Sequence, residues 1–367
     1  MTIPPPSPAE PGRLEAMAYA HGLTSDAYLA VEPWRQTFWG SHGGAIAYAR
    51  VGPYLKAVGS LLAPVGERDQ LLAEFLDTVH TRRQTISFFN VIPGEVDRFR
   101  RQGFTVVKWG EEALLDLPGW TPAGSACAWL RRQRRHVARH DVVAEELTAD
   151  RLTAPVRREL AEVCAASLRL KPQWADMRFF EGLPEFDRPG RRRIFVARRE
   201  SGAGRIDAVV VANPYSDGKG WGLELYRHRP DAIRGAVPST MLFAIDRFRE
   251  EGVRQVSLCL SPGRGCGTVD ETGDWLAHQA MRLGSSRFNV MFDPHGLYHF
   301  KSRFRPRFEP RYVCVWPRVT LGSLLSTGWL WGIWKVSPWR LGRVIARRLQ
   351  AASARRSLER LGTAARH

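Results

Sequence analysis

The sequence predicts an α/β (α+β) protein of two mixed-sheet units in tandem, joined by a basic helix. Three observations lead there. The same order of elements, an antiparallel opening followed by strand, helix and strand, occurs twice along the 367 residues. A composition of 44% hydrophobic and 25% charged residues suits a folded globular chain long enough for two domains of ordinary size. Between the two runs lies WLRRQRRHVARH, residues 129–140, which reads as a single cationic helix.

Taken in order, residues 1–12 (MTIPPPSPAEPG) are a Pro-rich leader, expected to be flexible and lacking the apolar run of a signal peptide. Residues 13–128 make the first unit. Strands over 45–51 and 55–62 flank Gly52-Pro53, and helix 67–82 places Leu71, Leu72, Phe75, Leu76 and Val79 on one face. Strand 85–91, short helix 95–101 and strand 104–109 complete it. Residues 129–150 are the linker, where Arg131, Arg135 and Arg139 share a stripe at i, i+4 and i+8 with Arg132 and His136 beside it. Such a helix neutralises phosphates without reading bases. The plainer alternative is an exposed helix paired with acids such as Glu145 and Glu146.

Residues 151–318 make the second unit, with helix 154–167, strands 193–199 and 206–213 meeting across Ser-Gly-Ala-Gly, strand 221–227, helix 237–251, strand 255–260 and helix 274–283. This element order is that of a tandem acyltransferase-like fold. Residues 319–367 close the chain. Sixteen uncharged residues, 319–334, fall short of the ~20 that a spanning helix needs. They precede an Arg-rich stretch with Leu341, Val344, Ile345 and Leu349 at helical spacing. That pattern fits a helix lying on an anionic membrane, or one docked on its own domain.

The charge is concentrated. Lys and Arg number 54 against 37 acids, giving +17 and a pI near 10.4. Residues 335–367 hold nine basic side chains and one acid, and residues 131–140 hold five arginines and none. Two local surfaces for nucleic acid, anionic membrane or phosphorylated substrates are expected. Five cysteines without a C-x-x-C pair or a histidine at ligand spacing imply reduced thiols in a cytoplasm and no metal site. No G-x-S-x-G, P-loop or H-E-x-x-H occurs, which removes the common hydrolase, NTPase and metalloprotease classes. Arg199 to Gly204 fits the R-x-x-G-x-G loop by which GNAT acetyltransferases hold acetyl-CoA, but it joins two hairpin strands instead of opening the main helix. No cofactor is expected.

The richest stretch is 296–312, GLYHFKSRFRPRFEPRY, with five Lys/Arg among three Phe and two Tyr. Aromatic anchors between the cations fix the backbone against a core and present the charges along one ridge; the plainer alternative is a final edge strand with solvated charges. This stretch, with Gly110-Glu111-Glu112-Ala113, Leu115-Asp116-Leu117, Gly124 and the Arg-rich helix, Glu224-Leu225-Tyr226-Arg227, and Gly235 with its helix, resembles the catalytic domain of phosphatidylglycerol lysyltransferases, the multiple peptide resistance factors of bacteria. FKSRF and EPRY are its most specific parts.

The resemblance implies a tandem GNAT-like acyltransferase fold that takes an aminoacyl group from aminoacyl-tRNA and gives it to the hydroxyl of phosphatidylglycerol or a related anionic membrane lipid. A stand-alone form without the family's membrane-embedded flippase region is expected, in the cytoplasm or at the inner face of the membrane. An aminoacyl ester is already activated, so such an enzyme needs positioning and oxyanion stabilisation instead of a metal or nucleotide. Carried across residue by residue, the catalytic positions are Glu224, facing the amino acid's ammonium or side chain, Arg227, facing a phosphate or carbonyl oxygen, and Lys301. Arg303, Glu309, Arg311 and Pro238 fall at substrate-binding positions, and Arg131, Arg132, Arg135 and Arg139 on the tRNA side. Two departures bear on which amino acid is carried: Glu224 replaces Asp, and Pro238 replaces an acid near the start of the following helix. A small soluble amine, hydroxylamine or alcohol is the second acceptor, and a non-catalytic tRNA- or membrane-binding module the alternative of another class.

Overall fold

Eleven strands hydrogen-bond into one mixed sheet that runs through both expected units. This computed structural model describes residues 10–170, 178–182, 186–200, 204–266, 294–332, 339 and 342. The strands are β1 (Gln36–Trp39), β2 (Ala45–Val51), β3 (Tyr54–Val58), β4 (Thr85–Val91), β5 (Thr105–Asp116), β6 (Val142–Leu147), β7 (Arg193–Arg199), β8 (Ile206–Tyr215), β9 (Gly220–His228), β10 (Gln255–Pro262) and β11 (Arg307–Trp316). Their spatial order is β1-β2-β3-β4-β11-β5-β10-β9-β8-β7-β6. The last strand therefore returns to the first half and lies antiparallel between β4 and β5.

Both faces of the sheet are covered. On β8 every residue is buried, because successive side chains point to opposite layers. Val209 and Val211 pack under α5 (Ala154–Leu168), while Val210 and Ala212 share a core with α7 (Ala236–Glu250). In that core Phe248 of α7 stacks on Trp221 at 5.1 Å and meets Phe195 at 5.6 Å. In the first half α2 (Arg68–Thr81) buries all five expected apolar residues, with Phe75 against Phe38 at 5.2 Å. Gly235 caps α7 at φ +97°, and a Cβ there would lie 2.8 Å from Gln133 of α4 (Ala128–Ala138), so the α4–α7 contact needs glycine.

A clamp ties the halves together. After α1 (Glu10–His21), a 3-10 turn over Ser25–Val31 lies on β8 and β9, with Ser216 N donating to Gly22 O at 2.8 Å and Asp217 N to Tyr19 O at 2.9 Å. The approach is close: a Cβ on Gly222 would sit 2.0 Å from Ser25 Cβ. Asp26 is carried by this turn into the space between the halves.

Three expectations are corrected. FKSRF is not part of a closing strand: Phe300 and Lys301 end α8 (Pro294–Ser302), and a turn at Arg305 (φ +55°) precedes β11. The four-residue spacing of Phe300 and Phe304 is helical, and their rings meet at 5.7 Å. Nor does the stretch form one ridge, since Lys301 and Arg311 are buried while Arg303, Arg305 and Arg307 are exposed. Strand 104–109 extends to Asp116, because β5 has partners on both sides and its buried Glu112 is paired. Helix 274–283, the hairpin tip 201–203, residues 1–9 and nearly all of 333–367 lie outside the described residues.

The uncharged stretch after β11 packs in part. Helix α9 (Leu321–Leu330) starts with a Thr320–Ser323 capping box and lies on β3, where Gly322 allows close approach to Tyr54. Lys56 of β3 is fully buried beneath it and donates to Ser323 O and Ser87 Oγ, both at 2.9 Å. The outer face stays bare: Leu321, Leu325 and Trp329 are 64%, 49% and 59% exposed at i, i+4 and i+8. No helix among the described residues is long and apolar enough to cross a membrane.

Arg311 Nε meets Glu112 Oε2 at 2.5 Å with both side chains buried, joining β11 to β5. Arg311→Met strands the carboxylate and should cost about 3–5 kcal/mol of unfolding free energy in urea titrations; a loss below 1 kcal/mol would show that the pair does not fasten the strand. Burial lowers the Lys56 pKa to about 7 from 10.5. Between those values the unfolded chain holds a proton that the native chain lacks, so Lys56 makes stability rise with pH across that window. The wild type should therefore gain on Lys56→Met between pH 7 and 10 in paired urea midpoints, and parallel curves would refute it.

Candidate active site

Strands β9 and β10 run parallel for only three residues, Gln255–Ser257 beside Gly220–Gly222. Beyond Ser257 the register of β10 against β5 jumps to Leu260, and Cys259 takes φ +64°. The strands part at this bulge. The fork carries half-buried Glu224 and Tyr226 on one side and Cys259 and Leu260 on the other. Lys301 Nζ reaches in from α8 and donates to Cys259 O at 2.9 Å and Leu260 O at 2.7 Å. A left-handed non-glycine residue costs roughly 1 kcal/mol or more, and the ammonium holds that strained bulge in place. Burial pulls the Lys301 pKa down to about 8.

Carboxyl groups dominate the fork. Glu224 Oε2 lies 3.4 Å from Cys259 Sγ, and Ser25 Oγ lies 3.6 Å from the same sulfur. Asp26 Oδ2 accepts from Asn90 Nδ2 at 2.6 Å, and Glu112 accepts from Ser257 Oγ. Burial raises the Asp26 pKa to about 7, with the Glu112 charge adding to it. Burial raises Glu224 well above the carboxylate range, with Asp26 next in effect, and raises the Cys259 thiol likewise. Burial thus opposes ionisation of these carboxyls, and an incoming cation would favour their charged forms.

The structure brings Glu224 and Lys301 together through Cys259. Arg227, three residues further along β9, is buried and pairs with Glu181 of α6 (Arg178–Glu181) at 2.5 Å. Glu309 and Arg311 form a second node on β11, 2.5 Å from each other. Pro238 is buried in the first turn of α7, where its missing N–H costs nothing. Arg303 is exposed over the Trp129 ring at 5.7 Å. On α4, Arg132, Arg135 and Arg139 are exposed, but Arg131 closes its own loop by donating to Pro122 O at 2.6 Å and Gly124 O at 2.5 Å. Glu145 and Glu146 serve Arg198 and Arg193 instead, each at 2.6 Å.

Asp26, Asn90, Ser257, Cys259 and Glu181 were not singled out from sequence. Asp26 follows an ordinary helix, and Cys259 sits in an apolar run that reads as plain strand; only the bulge and the clamp give them neighbours. Glu112 stood within a quoted motif, without a role.

A mixed sheet covered on both faces, with two parallel strands that part around Glu224 and Cys259, is an α/β architecture with a carboxyl-rich site at the strand fork. Residues 16–315 match the family described as phosphatidylglycerol lysyltransferase, C-terminal, and the chain belongs to that family. The resemblance read from FKSRF and EPRY is thereby shown. Among similar proteins, the phosphatidylglycerol lysyltransferase of Bacillus subtilis (strain 168) is 24% identical over 315 residues, 83% of this chain and 35% of that protein. The lysylphosphatidylglycerol biosynthesis bifunctional protein LysX of Mycobacterium sp. (strain JLS) is 22% identical over 65% of this chain and 22% of its own length. The chain thus spans about a third or less of these relatives. The solved structure of L-PGS from Bacillus licheniformis shares the fold with a TM-score of 0.72 at 21% identity, covering 91% of this chain and 98% of that one.

Asp26 holds its proton to about pH 7 in the native fork but loses it near 3.8 when unfolded, so it erodes stability as pH rises between those values. Asp26→Asn removes that erosion. Its urea midpoint should climb relative to wild type from pH 4 to pH 7, and a constant offset would refute the raised pKa.

Proposed function

We propose that the chain transfers an aminoacyl group from aminoacyl-tRNA to the hydroxyl of phosphatidylglycerol. The observation that carries this is the cluster of carboxyls at the fork of β9 and β10, where Glu224 lies 3.4 Å from Cys259 and burial raises the pKa of both Glu224 and Asp26. An aminoacyl ester presents an α-ammonium beside its reactive carbonyl, and two carboxyls that ionise on its arrival would hold that ammonium without leaving a buried charge in the empty site. The lipid hydroxyl attacks the carbonyl carbon, the tetrahedral species collapses, and the ester oxygen of tRNA leaves with the proton that the hydroxyl gave up. One ester replaces another, so the reaction needs alignment more than driving force.

Lys301 acts here as a positioning residue, holding the bulge on which Cys259 and Leu260 stand. Arg132, Arg135 and Arg139, exposed on α4, would meet tRNA phosphates, and Arg131 would support them by closing the loop below. The bare stripe Leu321, Leu325 and Trp329, followed in sequence by the cationic residues 335–367, would rest on an anionic bilayer where the acceptor resides.

Incubation with charged tRNA and phosphatidylglycerol liposomes should yield an RNase-sensitive aminoacyl lipid. Glu224→Gln removes one partner of the buried ammonium contact, about 2 kcal/mol or more, and should lower kcat/KM at least about thirtyfold. No lipid product from any of the twenty charged tRNAs would overturn the proposal. A water-soluble aminoacyl product that survives deletion of 335–367 would move the acceptor to a small amine, hydroxylamine or alcohol.

A further inference from the structure

We propose that Arg35, together with the indole N–H groups of Trp34 and Trp109, forms the binding site for the phosphodiester of the acceptor lipid. This rests on the function proposed above and assigns its acceptor side to particular residues.

Arg35 lies between the clamp turn and β1 and is only 9% exposed. Its Nη2 donates to Phe179 O at 2.7 Å, while Nε and Nη1 have no hydrogen-bond partner. No carboxylate among the described residues lies within ion-pair distance of it; Glu32, its near neighbour in sequence, is held by Arg192 at 2.6 Å. The guanidinium is sandwiched between Trp34 at 4.7 Å and Phe179 at 5.0 Å. Burial lowers its pKa to about 10, which leaves it charged at neutral pH. A buried cation with two unused donors is costly unless something supplies the acceptors.

Glu32 and Asp26 lend Arg35 negative charge from nearby without reaching its Nε or Nη1, and two neighbouring indoles add further donors. Trp34 Nε1 and Trp109 Nε1 are buried without partners in the same aromatic cluster, and an indole N–H can only donate. Unused donors on a buried guanidinium and on two indoles of the one cluster suit an oxyanion, and a planar fork suits the two free oxygens of a phosphodiester.

The walls select which oxyanion. Phe89, Phe180 and Trp331 pack around Trp109 at 5.5, 5.8 and 5.3 Å. Trp331 directly follows α9, the helix whose outer stripe is apolar and exposed, so an aromatic wall continues from the donors to the surface expected to meet the bilayer. RNA phosphates come in runs and are met by runs of cations, as on α4, whereas Arg35 is a single buried cation among rings. A phosphodiester attached to hydrocarbon fits both features.

Calorimetric titration of the full chain with dihexanoyl-phosphatidylglycerol below its micelle concentration, and with dihexanoylglycerol, tests the site without turnover. Wild type should bind the phospholipid at least about tenfold tighter than the neutral glyceride. Arg35→Gln should abolish that preference and leave glyceride binding unchanged, and Trp34→Phe, which keeps the ring and removes the N–H, should reduce it severalfold while near-UV dichroism stays native. A preference intact in both variants would overturn the proposal. So would glycerol 3-phosphate binding as tightly as the lipid, or Arg35→Gln weakening a CCA-ended tRNA minihelix in place of the lipid. If the lipid preference depends on Arg35 yet no charged tRNA yields aminoacyl lipid, the site stands and the proposed function falls.

Discussion

The contact between Arg311 and Glu112 is the constraint on which the rest of the molecule depends. Without β11, strands β4 and β5 would have a gap between them, and β10 could not extend the sheet beyond β5 on a fixed frame. The guanidinium supplies two charge-assisted hydrogen bonds, to Glu112 and Glu309, and Glu112 takes a third from Ser257 on β10. Three strands from both halves thus meet at one carboxylate. Its orientation matters as much as its charge, because Ser257 is where β10 leaves β9 and the fork opens.

The fork is electrostatically unfinished in two opposite ways. Near Glu224 there are acids whose ionisation burial opposes, and on Arg35 there are donors that lack acceptors. Either alone would be a cost to the fold with no return. Under the function proposed above, the first would meet a cationic ester and the second an anionic alcohol. A site that binds two oppositely charged substrates can leave each half incomplete, since each substrate completes the part it meets.

Much of the architecture was legible because hydrophobic periodicity is local. Strands 85–91 and 193–199 coincide with β4 and β7, and α2 buries the face its pattern marked. What escaped was set by contacts distant in sequence. Arg311 and Glu112 are 199 residues apart, and nothing near either announces the other. EPRY and FKSRF drew notice as a basic, aromatic segment, yet their cations divide between the interior and the surface according to where helix α8 ends and β11 begins. Glu224, Arg227 and Lys301 were legible only through resemblance. Asp26 had no signal at all, because its place is decided by Gly222, whose bare Cα lets the clamp turn settle on β9.

The return of β11 to the first half also sets an order of assembly. On a growing chain the strands up to β5 emerge early, but the slot between β4 and β5 stays open until residues 307–316 are made. During that interval two strand edges face each other unpaired, a template for any extended segment nearby. The first half therefore waits on nearly the last element described, and folding proceeds by closure of a long loop instead of by completion of one unit after another. The two halves repeat in element order, but the molecule becomes whole only in a single late step.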